Sequence, residues 1–511
     1  MGQRGFEHKL ELVDFTPRQY QADIVRTCLD SNTLVVIPTG IGKTFIALLL
    51  AYERLKKYPD SKVLITAPTK PLCNQHVQTF MKHTDLKDQV VLFTGSTPSS
   101  KRGELLESGR IIIATPQTIE SDLINNRISL NNFSMLCLDE AHRSRMRYAN
   151  TLVAKKFIEQ SPYPRILALT ASPGSSKERI DEIRENLFIE AVEVKTEEDE
   201  DVKAHIKEKE IIWEYIELPE VYKDIARRIK KVYLEHVERL RSFGLTKPAG
   251  VVNKFDLLKM QAYFQQQIRQ NNPSAFGGIS LVAQIIKMEH AITLIETQSP
   301  RCLQKYFNKL KIEETKAAKA IMKLSEIQKA IELTDRMIEN KVPNPKMLQL
   351  KKIITSELSA NPSSKIIVFA NYRDMVSEIT DELKLDGIKA ERFVGQADKA
   401  DKGLKQSEQV EILKNFKEGK FNILVASSVA EEGIDIPEVA AVIFYEMVPS
   451  ELRRVQRSGR TGRTKPGKVI FLLAKKTRDE TFYWSSLRKE KRMKNLLRNL
   501  KTNDERQSRL G

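Results

Sequence analysis

The chain has 511 residues, enough for several domains with substantial cores, and its 84 Lys and Arg outweigh 67 Asp and Glu to give a net charge of +17. That surplus favours a polyanionic partner and argues against an acidic one. Four scattered cysteines lack metal-ligand spacing and suit a reducing, intracellular setting; no run of about eighteen apolar residues predicts a membrane span, and the polar segment Met1 to Lys9 lacks a secretory apolar core.

Over residues 10–190 apolar runs alternate with helical patterns. Strands are predicted at 33–37, 63–67, 90–94, 110–114, 134–139 and 165–170, hence a mostly parallel sheet with helices on both faces. The first strand runs into Pro38-Thr39-Gly40-Ile41-Gly42-Lys43-Thr44 and then a helical stretch to Lys57. Strand, glycine-bearing loop and helix form a phosphate cradle: backbone N–H groups at a helix N-terminus point at phosphate oxygens, and glycine lets the backbone approach them. Lys43 would reach the β- and γ-phosphates and the Thr44 hydroxyl would hold Mg²⁺. The common pattern has another glycine where this chain has Ile37. The fifth strand ends in Asp139-Glu140-Ala141-His142. Carboxylates at the C-terminal end of a parallel strand face the ligand crevice, so Asp139 would hold the metal and Glu140 would orient and deprotonate water. His142 either couples the metal side to a second lobe or is a hydrogen-bonded structural histidine.

The acidic run 195–201 reads as a solvated linker, which closes a first unit at residue 200. After one more apolar stretch, Ile211 to Leu218, the pattern becomes helical. Val221, Ile225, Ile229, Val232, Val237 and Leu240 recur at three- and four-residue steps, and further helices fit 254–270, 280–297 and 302–340. Residues 201–345 are therefore assigned to a helical domain. Strand–helix alternation returns over 346–475, with strands expected at 365–370, 389–394, 421–427, 440–446 and 467–473, and a basic helical tail fills 476–511. Gln456-Arg457-Ser458-Gly459-Arg460-Thr461-Gly462-Arg463 spaces two arginines three apart among glycines. Arg460 and Arg463 would stabilise charge developing on a transferred phosphoryl group, and Gln456 would contact the γ-phosphate or the water.

In this order and spacing the motifs resemble the superfamily 2 helicases. The resemblance implies an α/β fold: two RecA-like parallel-sheet lobes with an all-helical domain inserted between them, using ATP and Mg²⁺. It implies that Arg18 and Gln21 read adenine, that Thr39, Gly40, Ile41 and Gly42 cradle phosphate, and that Gly433 and Asp435 lie in the nucleic-acid and ribose segment. It assigns Pro68, Thr69, Lys70, Gly95, Thr115, Pro116, Thr118 and Ser427 to the tracked strand, and Thr170 to Pro173 to coupling between lobes. The helical insertion resembles that of archaeal Hef helicase–nucleases, Fanconi anaemia M helicases, innate-immune RNA sensors and Dicer helicases. Ala67 to Leu72, Phe393 to Ala397 with Gly403 to Gln409, and Gly433 to Glu438 favour the Hef type. That resemblance implies an ATP-dependent helicase or translocase acting 3′→5′ on forked or branched DNA in replication-fork repair, with a nuclease domain following it in a longer chain. A double-stranded-RNA-dependent ATPase and a passive junction-binding protein are the rival readings. Arg227, Arg228, Lys230 and Lys231 would hold a second duplex arm through phosphate contacts, or else lie on a solvated spacer.

Overall fold

The structure, a computed structural model, describes residues 11–205, 209–395, 403–430, 436–462 and 466–510. The first lobe holds β1 (Thr33–Val36), β2 (Lys62–Thr66), β3 (Val90–Phe93), β4 (Ile111–Ala114), β5 (Phe133–Leu138), β6 (Ile166–Thr170) and β7 (Ala191–Val194). They form one parallel sheet in the order β3-β4-β2-β5-β6-β1-β7. Strands β1, β2, β4, β5 and β6 are buried at every residue, as parallel strands covered by helices on both faces must be. Leu34, Leu64 and Leu136 face one core with Phe157; Val35, Val63 and Met135 face the other with Ile46 and Leu50.

The second lobe holds β8 (Lys209–Ile216), β9 (Ile366–Phe369), β10 (Ala390–Phe393), β11 (Ile423–Ala426), β12 (Ala441–Phe444) and β13 (Gly467–Ala474). Its parallel order is β10-β11-β9-β12-β13-β8. The eleven strands expected from sequence are all present. Strand β7 was not expected: unlike the all-apolar β3, its Ala191-Val192-Glu193-Val194 carries a charged residue and only two large apolar ones.

Strand β8 corrects the domain boundary. Sequence placed it with the helical segment, but it pairs with β13 from Lys209 opposite Gly467 to Ile216 opposite Ala474. The second lobe therefore begins before the helical bundle, which is an excursion between two strands of one sheet. Periodicity marks β8 as apolar but carries no information about a pairing partner so far along the chain.

The bundle contains helices Glu220–Arg241, Lys254–Arg269, Ala275–Thr297, Pro300–Ile312, Lys316–Met322 and Ser325–Glu339. The expected run 302–340 is three helices. Thr315 caps the second by accepting from Ala318 N–H, and Ser299 caps the first, with Pro300 following it. Ala275–Thr297 is long and apolar enough to cross a membrane by length and composition alone. Here it is a core helix: Val282, Ile285, Met288 and Ile295 share one cluster with Ile225 and Ile229 of the bundle and with Ile366 and Val368 of β9. Bundle and second lobe thus have a common core.

The tail is one helix, Arg478–Leu510. It leaves the second lobe, where Tyr483 packs in the core, and reaches the first, where Met493 and Leu497 join the core beneath β1 and β7. Lys494 and Arg498 pair with Glu198 of the first lobe at 3.7 and 3.0 Å. The segment is a strap across both lobes.

Candidate active site between the lobes

The phosphate loop lies between β1 and helix Lys43–Lys57. Gly40 and Gly42 have φ of 84° and 91°, left-handed angles that favour glycine, and Gly42 caps the helix. Lys43 Nζ folds back over the loop to the carbonyls of Ile37 and Pro38, both at 3.3 Å, and Thr44 is half-buried in the first turn. Arg18 and Gln21 sit behind the loop. Gln21 Oε1 accepts from Arg18 N–H at 3.0 Å, and a Cβ on Gly42 would lie 2.5 Å from Gln21 Nε2. Tyr20, which sequence did not assign, donates its hydroxyl to the Ile41 carbonyl and accepts from Arg18 Nη1 at 3.1 Å. The Arg18–Gln21 segment, expected to read adenine, and the phosphate loop are therefore packed as one unit.

Asp139 and Glu140 follow β5 at the same edge of the sheet. Burial raises the Asp139 carboxyl, but the hydrogen bond from His76 and the charges of His76 and Lys43 outweigh it and hold the group below its ordinary value. Asp139 Oδ2 is 3.0 Å from His76 Nε2, and Oδ1 accepts from Glu140 N–H at 2.9 Å. Glu140 adopts φ 52°, left-handed for a residue with a Cβ, a strain of the kind found at functional sites. Its Oε2 is buried without a hydrogen bond, with His142 Nδ1 3.3 Å away. His142 Nδ1 also meets Thr170 Oγ1 at 3.2 Å, and Ser172 donates N–H to that oxygen at 3.1 Å and its hydroxyl to Met493 Sδ at 2.9 Å. The carboxylates are thereby connected to the strap helix. An ammonium, a hydroxyl, two carboxylates and a glycine-bearing loop at a helix N-terminus fit a nucleoside triphosphate.

The second lobe meets the loop at Gly459. A Cβ there would collide with the Thr39 side chain, so only glycine allows the approach. A cavity of about 260 Å³ between the lobes is lined by Pro38 and Thr39, by Ser458 and Gly459, and by Met493 and Lys494 of the strap. Gln456 and Arg460 are 3% and 9% exposed, at the end of helix Glu451–Ser458 and just beyond it. Arg457, unassigned by sequence, is fully buried, stacks 4.9 Å from the Phe369 ring centre and donates to Asn371 Oδ1 at 2.8 Å. Arg463, Gly433 and Asp435 lie outside the described residues.

Asn371 in turn donates N–H to Glu446 Oε1 at 2.6 Å. Burial pushes the Glu446 carboxyl from its ordinary 4.5 up to about 7, against the pull of the Asn371 N–H, Lys346 and Arg457. Between those values the folded protein holds a proton that the unfolded chain has released. Stability therefore falls as pH rises through this window and levels off above it. Glu446→Gln is expected to flatten the pH dependence of the thermal midpoint between pH 5 and 7 and to raise the midpoint at pH 8. An unchanged slope would reject this role.

The residues expected from sequence to contact a tracked strand gather at the C-terminal ends of their β-strands. Thr69 caps helix Lys70–His83, with Pro68 half-buried before it, and Lys70 Nζ reaches Ser96 Oγ beside Gly95 at 3.0 Å. Thr115 and Thr118 share a hydroxyl hydrogen bond of 2.8 Å around Pro116. Ser427, after β11, is buried and donates its N–H to Phe393 O at 3.0 Å. The basic residues of helix Glu220–Arg241 are a different matter. Arg227 pairs with Glu220 and Asp224 at 2.8 and 3.3 Å, while Arg228 and Lys231 both reach Glu326 at 2.8 and 3.1 Å. Lys230 is exposed and lines a hollow with Glu296 and Arg478.

Two parallel-sheet lobes, a phosphate loop with its carboxylates, and a glycine–arginine segment brought against that loop define the core of a superfamily 2 helicase. Three family models match in chain order: the DEAD/DEAH box helicase over 18–180, the helical bundle of ATP-dependent RNA helicases over 221–343 and the helicase conserved C-terminal domain over 345–465. The crystal structure of the Pyrococcus furiosus Hef helicase domain is similar with a TM-score of 0.70 and 42% identity, covering 92% of this chain and 98% of that one. A Methanocaldococcus jannaschii protein named provisionally as an ATP-dependent RNA helicase is 40% identical across 94% of this chain and 61% of its own. The Neurospora crassa ATP-dependent DNA helicase mph1 is 31% identical across 91% of this chain and 41% of its own. The chain therefore spans less than two thirds of these curated relatives. It belongs to the Hef family of superfamily 2 helicases.

Proposed function

We propose that the chain is an ATP-driven DNA helicase or translocase that acts inside the cell on forked and branched DNA during fork repair, moving 3′→5′. The approach of Gly459 to Thr39 carries the motor reading, because it sets the arginine segment of one lobe against the phosphate loop of the other. Lys43 and the loop amides bind the triphosphate, and Arg18 and Gln21 hold the base. Thr44 and Asp139 would hold Mg²⁺, which when bound neutralises charge on the phosphates. Glu140 orients the attacking water and takes its proton. Arg460, with Arg463, Gln456 and the Gly433–Asp435 segment, completes the site from the second lobe. Repeated closure and opening moves a strand gripped at Thr69, Lys70, Thr115, Thr118 and Ser427.

DNA is favoured by the ATP-dependent DNA helicase name of the Neurospora relative, and the branched substrate rests on the resemblance to the Hef family. The 3′→5′ polarity rests on family resemblance. The RNA helicase names of the bundle model and of the Methanocaldococcus relative support a second reading, a duplex-RNA-dependent ATPase. ATP hydrolysis measured with forked DNA, a four-way junction, blunt duplex DNA and duplex RNA separates them. The expected result is the greatest stimulation by forks and junctions; stimulation by RNA alone would reject the DNA reading.

A further inference from the structure

The basic face expected on helix Glu220–Arg241 is largely neutralised by its own carboxylates and by Glu326 of a later helix, but a neighbouring surface of the bundle is not. Helix Lys254–Arg269 is held by a capping box at Asn253, and Asp256, Leu257 and Phe264 point inward. Gly278 lets the next helix close on the Phe264 ring, where a Cβ would collide. The outward side carries large apolar groups. Phe255 is 63% exposed, Leu258 47% and Tyr263 49%, and Phe276, at the start of the adjoining helix, is 61% exposed. Side chains at 255, 258, 259, 262, 266 and 269 share one helical face, and Tyr263, four residues after Lys259, borders it. That face is about 21 Å long at the rise of an α-helix.

The charge around these rings points to one kind of occupant. Between Phe243 and Met288 the sequence has a single acidic residue, Asp256. Asp256 is buried and engaged by Lys247 Nζ at 2.7 Å. Lys254, Lys259 and Arg269 are exposed, and none of the three pairs with a carboxylate among the described residues. Lys259 Nζ lies 4.6 Å from the Phe255 ring centre. Protein interfaces are depleted in lysine at their cores. Aromatic faces interleaved with cations, on a segment whose one carboxylate is buried and paired, match a polyanion that also offers flat π-faces.

We propose that this outer face of helix Lys254–Arg269, together with Phe276, is a stacking surface for unpaired bases next to the branch point. The inference rests on the reading that the substrate is branched nucleic acid. It assigns the contact to aromatic groups on a rigid helix and moves it away from Arg227, Arg228 and Lys231. Phosphate contacts fix position without reading bases, whereas stacking tells unpaired from paired strands without sequence preference.

The test uses the full chain without nucleotide and forked DNA carrying 2-aminopurine at the unpaired positions beside the junction. The parent should change the fluorescence of the probe on binding. Phe255→Ala/Tyr263→Ala, with an unchanged thermal midpoint, should lose that change and bind forks about ten- to a hundred-fold more weakly, with the same salt dependence. Phe255→Tyr/Tyr263→Phe should keep both. Lys259→Ala/Arg269→Ala should instead lower the slope of log affinity against log salt by roughly two. If the alanine pair keeps parental fluorescence and affinity, the stacking surface is rejected and the patch is a protein-docking face. If the parent itself binds blunt duplex as tightly as forks, the branched-substrate reading fails. The same probe in a plain single strand then decides the surface: a response from the parent and not from the alanine pair upholds it, and equal responses reject it.

Discussion

Arg460→Ala is expected to lower the rate of ATP turnover by about 10³-fold or more while leaving the equilibrium affinity for the nucleotide nearly unchanged. The backbone at this position is fixed: Arg460 N–H donates to the Arg457 carbonyl at 3.2 Å, and its own carbonyl accepts from Val439 N–H at 3.3 Å. Gly459, one residue earlier, lies against Thr39 of the phosphate loop. Under the proposed function a guanidinium delivered there would meet charge that grows only as the phosphoryl group transfers, so it would contribute to the transition state more than to the bound ground state. The loss should therefore appear in kcat and not in KM. Arg460→Lys should recover little, because a point charge does not reproduce the planar fork. Lys43→Ala is the companion variant: in the proposed site the Lys43 ammonium would touch phosphate before and during transfer, so both binding and turnover should fall. Normal hydrolysis in both variants would show that the site is misassigned.

The legible parts of this site are those written in local spacing. The loop from Pro38 to Thr44 announces itself because left-handed backbone at positions 40 and 42 needs glycine, and the helix after it needs no distant partner. Asp139 and Glu140 were legible because an apolar strand ends where they begin. His76 was not: its hydrogen bond to Asp139 joins residues on different elements, and a lone histidine in a helix has no distinguishing pattern. Arg227, Arg228 and Lys231 read as a basic face because sequence counts charges without showing that Glu326, on a later helix, lies among them. Strand β8 and the strap helix failed in the same way. Met493 and Leu497 look like the apolar stripe of any helix, and nothing in their spacing says that the core they enter belongs to the other lobe. Function was easier to read than connectivity, since phosphate chemistry is local and tertiary partnership is not.

The strap's anchorage leads to the largest expected change in stability. Lys346 Nζ and Asp479 Oδ2 are 2.7 Å apart, with side chains 1% and 0% exposed. Lys346 also donates to the Thr297 carbonyl at 3.0 Å and lies 4.9 Å from the Tyr445 ring centre. Asp479 accepts from Met447 N–H at 3.3 Å and Ala474 N–H at 3.4 Å. One ion pair thus joins the end of the central bundle helix, the ends of two second-lobe strands and the start of the strap. Asp479→Ala strands a buried ammonium and should destabilise this junction by roughly 3–5 kcal/mol. Lys346→Met strands a buried carboxylate instead and should cost a similar amount, but the carboxyl escapes by gaining a proton whereas the ammonium escapes by losing one. Burial already pushes Asp479 upward, with Lys346 pulling it back, so removing Lys346 raises it further. The Lys346→Met variant should accordingly recover stability as pH is lowered, whereas Asp479→Ala should not. Lys346→Met/Asp479→Leu should lie close to the parent, since apolar replacement of a whole buried pair is often neutral or better. A chain of several domains has no single unfolding free energy, so the junction needs its own probe. The sequence supplies it: the chain's two tryptophans are Trp213 on β8 and Trp484 on the strap, and Trp213 Nε1 donates to Tyr483 OH at 2.5 Å. Their fluorescence during urea unfolding reports this contact directly. If the Asp479→Ala and double variants lose it at the same denaturant concentration, the pair does not hold the strap.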